Sequence, residues 1–269
     1  MTRLWLFLLL LWVTACQTAT PTPPPSPTAV PLQILRIGVA TSVLPLADLI
    51  TEPYQQAADN VVVQFVPGNT AVLLADLDAG NLDAVLSPYV PDGNERWFNP
   101  VALDGLVLVA HPDNPVAGLS LAEAQAVFNG RLTNWSALGG ADQPVALISR
   151  EEGSGAGAIF QDRVMAEQRI NINAQVLTGD EALRAVVAAN PAALGFSMMG
   201  AAEGVKVLAV DGRSATLETV QDQSYPLTTP VYFINRTDGE PDGALRSFLA
   251  WLQSAAGQEI VGMRYGRVR

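Results

Sequence analysis

Cysteine and histidine are nearly absent from this sequence of 269 residues, since each occurs only once, as Cys16 and His111. A single cysteine has no partner for an intrachain disulfide, so the hydrophobic core must hold the folded body together. His111 has no second histidine and no neighbouring cysteine, and it lies in a proline-rich loop. These absences argue against a metal site and against a catalytic triad, and we expect no cofactor.

Positive charge is also scarce. The chain has 15 Lys and Arg residues against 26 Asp and Glu residues, which gives a net charge of −11 at pH 7. Loss of residues 1–15, which contain Arg3 and no acid, would change this charge to −12. Such a surface argues against nucleic acid or anionic lipid as a partner. It would also not attract an anionic ligand, so local N–H donors and an arginine would have to hold one.

The apolar run at the start of the chain is too short to cross a bilayer. It extends from Leu4 to Val13, whereas a spanning helix needs about 20 residues. Arg3 precedes this run and small residues lead from it to Cys16, which is typical of an export signal. The end of the signal resembles a bacterial lipobox, in which the cysteine becomes lipidated. The alternative is an ordinary signal peptide, 1–15, followed by a chance cysteine.

Residues 16–31 are rich in proline, threonine and serine, and such a composition cannot bury enough apolar surface to fold. We therefore predict a tether that leads from a lipidated Cys16 to the folded body. The remaining residues, 32–269, are enough for one large or two small lobes. Strand and helix signals alternate along them, beginning with Ile34–Val39 and including the helix predicted over 180–189. This alternation predicts an α/β fold with mostly parallel sheets covered by helices.

One stretch, SREEGSGAGA over residues 149–158, has the pattern of an oxyanion site. It follows a strand-like run, 145–148, and precedes an amphipathic run that begins near Ile159, so it should connect a strand to a helix. The first N–H groups of a helix are free and carry a partial positive charge. Ser154 adds a hydroxyl donor and Arg150 a planar fork that matches two oxygens. A flexible turn is the alternative interpretation.

Two acids could instead form a hydrolytic pair, because Asp83 and Glu152 are both candidates for general acid or base. Two scattered acids among 26 are usually surface charges, however. No other combination of residues indicates catalysis, so we do not expect an enzyme and name no catalytic residue.

Four segments resemble the periplasmic phosphate-binding proteins of bacterial ABC transporters, which form a type 2 solute-binding family. These segments are TSVLPL at 41–46, DGLVLVAHPDNP at 104–115 together with FNGRLTNW at 128–135, SREEGSG at 149–155, and YPLTTP at 225–230. The resemblance implies a two-lobed periplasmic-binding-protein fold whose chain crosses the hinge twice, near 104–110 and 225–231. Lobe 1 would comprise 32–106 and 227–269, and lobe 2 would comprise 107–226.

The resemblance also implies a set of ligand-binding residues. Thr41 and Ser42 would contribute from lobe 1, and a later loop would add Asp83 and Ser87. The opposite wall would contain Arg150, Glu152, Ser154, Gly155 and Ala156. The carboxylates of Asp83 and Glu152 would accept a hydrogen bond from a protonated ligand. The sequence departs from the family pattern at four places: Ala156 replaces a hydroxyl residue, Glu152 a shorter Asp, Gly68-Asn69-Thr70 a Gly-Ser-Gly run, and Val39-Ala40 the Gly-Ser before the first hydroxyl.

The function that follows from the resemblance is that of an extracytoplasmic lipoprotein. It would capture phosphate or a similar tetrahedral oxyanion and deliver it to an ABC permease, with the lipid anchor as its only contact with the membrane. The alternative is a non-transport sensor or interaction protein that keeps the fold and has an altered pocket.

Overall fold

The structure is a computed structural model that describes residues 31–268. The predicted export signal, the lipidated Cys16 and the tether up to residue 30 lie outside the described residues. Among residues 31–268, no helix is long and apolar enough to cross a membrane.

Over the described residues the chain forms ten strands and eight α-helices, besides three short 3₁₀ helices and one π-helical segment. Strands β1 to β10 cover Gln33–Ala40, Val61–Gly68, Ala84–Ser87, Phe98–Ala110, Gly118–Leu119, Ala146–Arg150, Gln175–Leu177, Ala193–Met198, Lys206–Val210 and Thr228–Asn235. Helices α1 to α8 cover Leu44–Ala57, Thr70–Asp78, Leu121–Phe128, Gly155–Phe160, Asp180–Ala189, Leu217–Gln221, Gly243–Leu252 and Ala255–Val261. The predicted alternation of strands and helices is confirmed.

All strands join one sheet, whose main path is β2-β1-β3-β10-β4-β8-β6-β7, with β9 beside β4 and β5 beside β9. Five of the described strand pairs are parallel and four are antiparallel. Every antiparallel pair includes β4 or β10. The expected parallel pairing therefore holds at both ends of the sheet, and these two strands interrupt it in the middle.

The buried apolar residues form three clusters, two built from segments of lobe 1 and one from lobe 2, in agreement with the predicted two-lobed fold. The core of lobe 1 is built from residues between Leu35 and Ala102 and from residues between Val231 and Tyr265. The core of lobe 2 is built from residues between Leu106 and Leu227. The finer limits predicted for the lobes, at 106/107 and 226/227, stay a prediction.

Two neighbouring strands carry the chain between the lobes. In β4, Ala102 belongs to the core of lobe 1 and Leu106 to that of lobe 2, so the crossing lies between these residues. The crossing of β10 lies between Leu227 and Val231 in the same way. Asp104 and Thr229 face each other in register at this point. The hinge is therefore a paired antiparallel ribbon.

Asp104 is fully buried in this ribbon. Its carboxylate accepts the backbone N–H of Gly105 at 2.7 Å and that of Gly200 at 3.1 Å. Burial raises the pKa of Asp104 to about 7, and the charge of Asp180 adds to this effect. The two N–H donors and Arg264 oppose the rise without cancelling it.

The helix that follows the Gly/Ser stretch begins earlier than predicted, at Gly155 instead of near Ile159. Ser154 caps it by accepting the N–H of Gly157 at 3.3 Å, so most of the glycine-rich run is helical. At its other end, Phe160 stacks on Phe196 of β8 with ring centroids 3.9 Å apart. This stacking contributes about 0.5–1.5 kcal/mol beyond burial and anchors the helix against the sheet.

Candidate functional site

Both lobes direct the carboxyl ends of their parallel strands toward one cleft. Strands β1, β2 and β3 end at Ala40, Gly68 and Ser87, and β6, β7 and β8 end at Arg150, Leu177 and Met198. In α/β proteins, ligands bind at such ends because loops and helix N-termini gather there. The polar residues that end or follow these strands form the candidate site.

Arg150 is the centre of this site, and its side chain is only 1% exposed. Its Nη1 donates to Asp180 Oδ2 at 2.6 Å. Its Nε and Nη2 donate to the two carboxylate oxygens of Glu151 at 3.1 and 3.3 Å. Nη2 also donates to the hydroxyl of Thr41 at 3.1 Å. Arg150 therefore uses four of its five N–H groups.

Thr41 reaches this cluster from lobe 1. It lies in a single 3₁₀ turn, Thr41–Val43, directly after β1. Its hydroxyl donates to Asp180 Oδ2 at 3.2 Å and accepts from Arg150. One side chain of lobe 1 is thus hydrogen-bonded to an acid and a base of lobe 2.

Asn69, which caps α2, makes a second connection between the lobes. Its side-chain oxygen accepts the N–H of Ala71 at 3.0 Å. Its amide nitrogen donates to the backbone carbonyl of Glu152 at 2.9 Å and to Glu151 Oε1 at 3.3 Å. The Ala71 N–H also donates to the Gly153 carbonyl at 3.1 Å. The start of α2 therefore rests against the loop that precedes α4.

Small residues permit this close approach. Gly153 has a φ of +80°, a left-handed conformation that favours glycine. A Cβ atom at Gly153 would also lie only 2.6 Å from the side-chain oxygen of Asn69. Next to this loop, the hydroxyl of Thr70, the first residue of α2, lies 3.3 Å from that of Ser87, and both residues are buried.

The charges in the cluster are closely balanced. Burial alone would lower the pKa of Arg150, but Asp180 and Glu151 outweigh it and raise that pKa. Burial would raise the pKa of Glu151, but the hydrogen bonds and charge of Arg150 lower it instead. With both acids ionised, the three side chains have a formal charge of −1. Any anion bound here would depend on hydroxyl and N–H donors as well as on Arg150.

A family model described as a PBP superfamily domain matches residues 18–256. The chain belongs to the PBP superfamily. Among its relatives is the phosphate-binding protein PstS of Bacillus subtilis, which is 26% identical over 232 residues, covering 82% of this chain and 75% of that protein. PstS of Pseudomonas aeruginosa is also 26% identical, over 251 residues, covering 80% of this chain and 78% of that protein.

Solved structures of the PBP superfamily share this fold. A protein from Clostridium perfringens with bound phosphate superimposes with a TM-score of 0.82 at 27% identity, covering 88% of this chain and all of that one. An ABC-type phosphate transport receptor from Vibrio cholerae gives a TM-score of 0.69 at 25% identity, covering 86% of this chain and 99% of that one.

Most of the predicted site residues of this PBP-superfamily chain meet in the cleft. Thr41, Ser87 and Arg150 lie there as described above. Ser154, Gly155 and Ala156 form the cap and first turn of α4, and all three are buried. Ser42 is buried in the same turn as Thr41.

Asp83 is not in the cleft, so its predicted placement is wrong. It precedes β3, four residues from Ser87, which corresponds to about 13 Å of extended strand. There it is exposed, and its carboxylate accepts the backbone N–H of Arg36 at 2.7 Å. The carboxyl end of β3 forms the site, and Asp83 lies at the amino end.

The predicted placement of the Glu152 side chain in the cleft is the second expectation that the structure contradicts. Its side chain is exposed, and only its backbone carbonyl contacts lobe 1, through Asn69. The neighbouring Glu151 bonds to Arg150 instead. These two neighbouring side chains therefore lie in different surroundings.

The sequence alone did not assign Asn69, Thr70, Glu151 or Asp180 to the site, and Thr70 and Asp180 are the two of these that are buried. In the sequence, Asp180 is an acid in the first turn of α5. The helix dipole favours an acid at this position whether or not a ligand is present. The only signal at Thr70 was the change of the usual Gly-Ser-Gly run to Gly-Asn-Thr. Their burial depends on contacts with distant parts of the chain, which no local pattern contains.

Proposed function

We propose that this protein is an extracytoplasmic solute-binding protein that captures phosphate or a similar tetrahedral oxyanion for an ABC permease. One observation carries the proposal: buried Arg150 and the Ser154-capped start of α4 face the hydroxyls of Thr41 and Thr70 across the cleft. The relatives named as phosphate-binding proteins, and the phosphate-bound neighbour, support it.

The donors suit a small anion with several oxygens. The first N–H groups of a helix have no partner within it and favour negative charge. Gly155 and Ala156 carry such groups without bulky side chains. From the facing lobe the Thr70 hydroxyl can donate, whereas the Thr41 hydroxyl donates to Asp180 and the Ser87 hydroxyl to the Tyr89 carbonyl. The ligand would thus have donors on both sides.

The charge of the cluster favours a ligand that carries a proton. Arg150 is already paired with Glu151 and Asp180, so a fully ionised anion would meet two carboxylates and one cation. Phosphate near neutral pH retains at least one proton and can donate it to a carboxylate oxygen, whereas sulfate cannot. Glu151 and Asp180 would therefore accept the hydrogen bond from the ligand proton. Asp83 and Glu152, to which the sequence analysis gave this role, lie outside the cluster.

The same geometry gives a second candidate function some support. Four of the five N–H groups of Arg150 already have partners within the protein. A pocket that satisfies its own arginine could serve a non-transport sensor or interaction protein that holds phosphate weakly or not at all. The two candidates differ in whether the purified protein binds phosphate at the concentrations at which transport proteins work.

We further propose that Cys16 is lipidated after removal of 1–15 and that the tether holds the body at the outer face of the membrane. The permease would then find the binding protein close to its own entrance. The assignment of residues 32–106 and 227–269 to lobe 1 and of 107–226 to lobe 2 belongs to this proposal.

Titration calorimetry with inorganic phosphate tests the main function. The wild-type protein should bind phosphate with 1:1 stoichiometry, and Arg150→Ala should weaken binding at least about a hundredfold, because the cluster loses its cation and keeps two carboxylates. Small-angle scattering should show a smaller radius of gyration with phosphate, since two donor walls close on one ligand. No heat and no compaction at saturating phosphate would favour the second candidate.

A further inference from the structure

The two carboxylate oxygens of Asp180 have different sets of hydrogen-bond partners. Its Oδ1 accepts the Ser197 hydroxyl at 2.8 Å, a contact made entirely within lobe 2. Its Oδ2 accepts Arg150 Nη1 at 2.6 Å and the Thr41 hydroxyl at 3.2 Å. At Oδ2, the arginine of one wall and a hydroxyl of the other wall meet on a single atom.

Thr41 and Arg150 are also bonded to each other directly, because the Thr41 hydroxyl oxygen accepts from Arg150 Nη2 at 3.1 Å. The three side chains thus form a closed hydrogen-bonded triangle. Two of its members, Arg150 and Asp180, belong to lobe 2 and stay together when the lobes separate. Only Thr41 leaves, and its departure breaks two of the three contacts.

We infer that Asp180 is a positioning residue that couples the orientation of Arg150 to closure of the two lobes. The inference rests on the proposed function, in which Arg150 faces the ligand. When the lobes are closed, Thr41 fixes both the carboxylate and the guanidinium, so Arg150 has its working orientation. When they open, Arg150 keeps its bonds to Asp180 and Glu151, and both Arg150 and Asp180 lose their contact with Thr41.

Glu151 also joins the lobes, because its Oε1 accepts from both Arg150 and Asn69, but Asp180 is the more deeply buried acid. The side chain of Asp180 is 4% exposed and that of Glu151 is 16% exposed. A buried carboxylate needs several donors to offset its lost hydration, and Asp180 has three. One of these comes from lobe 1, so opening removes a donor from a buried charge. Asp180 should therefore favour the closed form even before ligand binds.

A double-mutant cycle between Thr41 and Asp180 tests this coupling. Thr41→Val, Asp180→Asn and the double variant are made in the full chain, with Cys16→Ser and with spin labels on Ala75→Cys in lobe 1 and Ile172→Cys in lobe 2. Both label positions are exposed. Label separation is measured without ligand, and inorganic phosphate binding is measured by calorimetry.

Each single variant should increase the label separation and weaken phosphate binding about tenfold, the scale of one hydrogen bond to a charged group. The double variant should be no worse than the weaker-binding single variant, because both changes remove the same contact. Ser197→Ala, which removes only the contact within lobe 2, should leave the label separation unchanged.

Additive effects of Thr41→Val and Asp180→Asn would overturn the inference, as would weaker binding with unchanged label separation. Thr41→Val breaks no ion pair, so it tests the contact even where Asp180→Asn fails to fold; an unchanged separation in this variant also overturns the inference. The measurement without ligand distinguishes the two ideas. If the wild-type protein does not bind phosphate, the proposed function is wrong. The label separations measured without ligand still decide whether Asp180 couples the lobes.

Discussion

Gly155 of lobe 2 lies so close to Thr70 of lobe 1 that a Cβ atom on Gly155 would be 2.8 Å from the Thr70 hydroxyl oxygen. The same atom would lie 3.2 Å from Cγ of Pro88, a ring that follows β3. The φ of Gly155 is not positive, so its backbone accepts alanine without strain. The glycine is required by the approach of the opposite lobe and not by the local turn.

Gly155→Ala should therefore hinder closure while the fold is kept. We expect phosphate binding to weaken about tenfold or more, because the added methyl group holds the walls apart. The free energy of unfolding should stay within about 1 kcal/mol of wild type, since alanine is the better helix former. Calorimetry and denaturant unfolding measure the two effects.

Gly157→Ala is the matched control in the same helix. A Cβ atom there would meet only Ser154 and Arg150 of its own lobe, at ordinary distances of 3.4 Å and beyond. Phosphate affinity should not fall in this variant. Equal losses in both variants would show that α4 itself, and not the approach of the lobes, is disturbed.

Ligand selectivity should respond to Glu151 and not to Asp83. Glu151→Gln removes one negative charge beside Arg150, which helps a dianion more than a monoanion. At about pH 6 we therefore expect sulfate to gain roughly tenfold more affinity than phosphate. Competition calorimetry measures the ratio.

Asp83→Asn and Glu152→Gln are the controls for this selectivity, because both side chains are exposed and make no contact with Arg150. They should leave the ratio of phosphate to sulfate affinity unchanged. A shift with Asp83→Asn would mean that this strand end faces the ligand after all.

The hinge should make stability depend on pH. The pKa of Asp104 is raised to about 7, so the folded state holds this proton more tightly than the unfolded chain. The contribution is fully present below the ordinary carboxyl pKa and is lost as pH rises through about 7, at about 1.36 kcal/mol for each unit of pKa difference. Asp104→Asn should flatten this decline.

Denaturant unfolding of both proteins between about pH 5 and pH 8 checks the hinge prediction. The charged and titratable groups around Asp104 are Asp180, Arg264, Tyr225 and Tyr265, which remain in both proteins. Parallel curves for wild type and variant would show that Asp104 does not titrate in this range.

Anchoring is tested separately, because Cys16 lies outside the described residues. In a bacterial host, the wild-type chain should incorporate labelled fatty acid and remain with the membrane fraction. Cys16→Ser should abolish the label and release the body. Failure of the wild-type chain to take up label would contradict the lipobox interpretation.

The sequence predicted those parts of the site that depend on local order. Arg150 ends a strand, Ser154 caps the next helix, and the glycine between them, Gly153, indicates this turn. Asp180 and Thr70 could not be found in this way, because their burial arises from packing between segments far apart in the chain. For Asp83, the pattern identified the strand, but the prediction assigned the residue to the wrong end of it.

Strand β4 takes part in both cores, and the segments that complete each core determine the order in which the two lobes can fold. The core of lobe 2 uses one continuous segment, 106–227, whereas lobe 1 needs β10 and the last two helices, which come at the end of the chain. Lobe 2 can therefore fold while lobe 1 is still incomplete. Because loop closure over a long segment is slow, we expect lobe 1 to form last, beside a lobe 2 that already holds the second half of β4 in place.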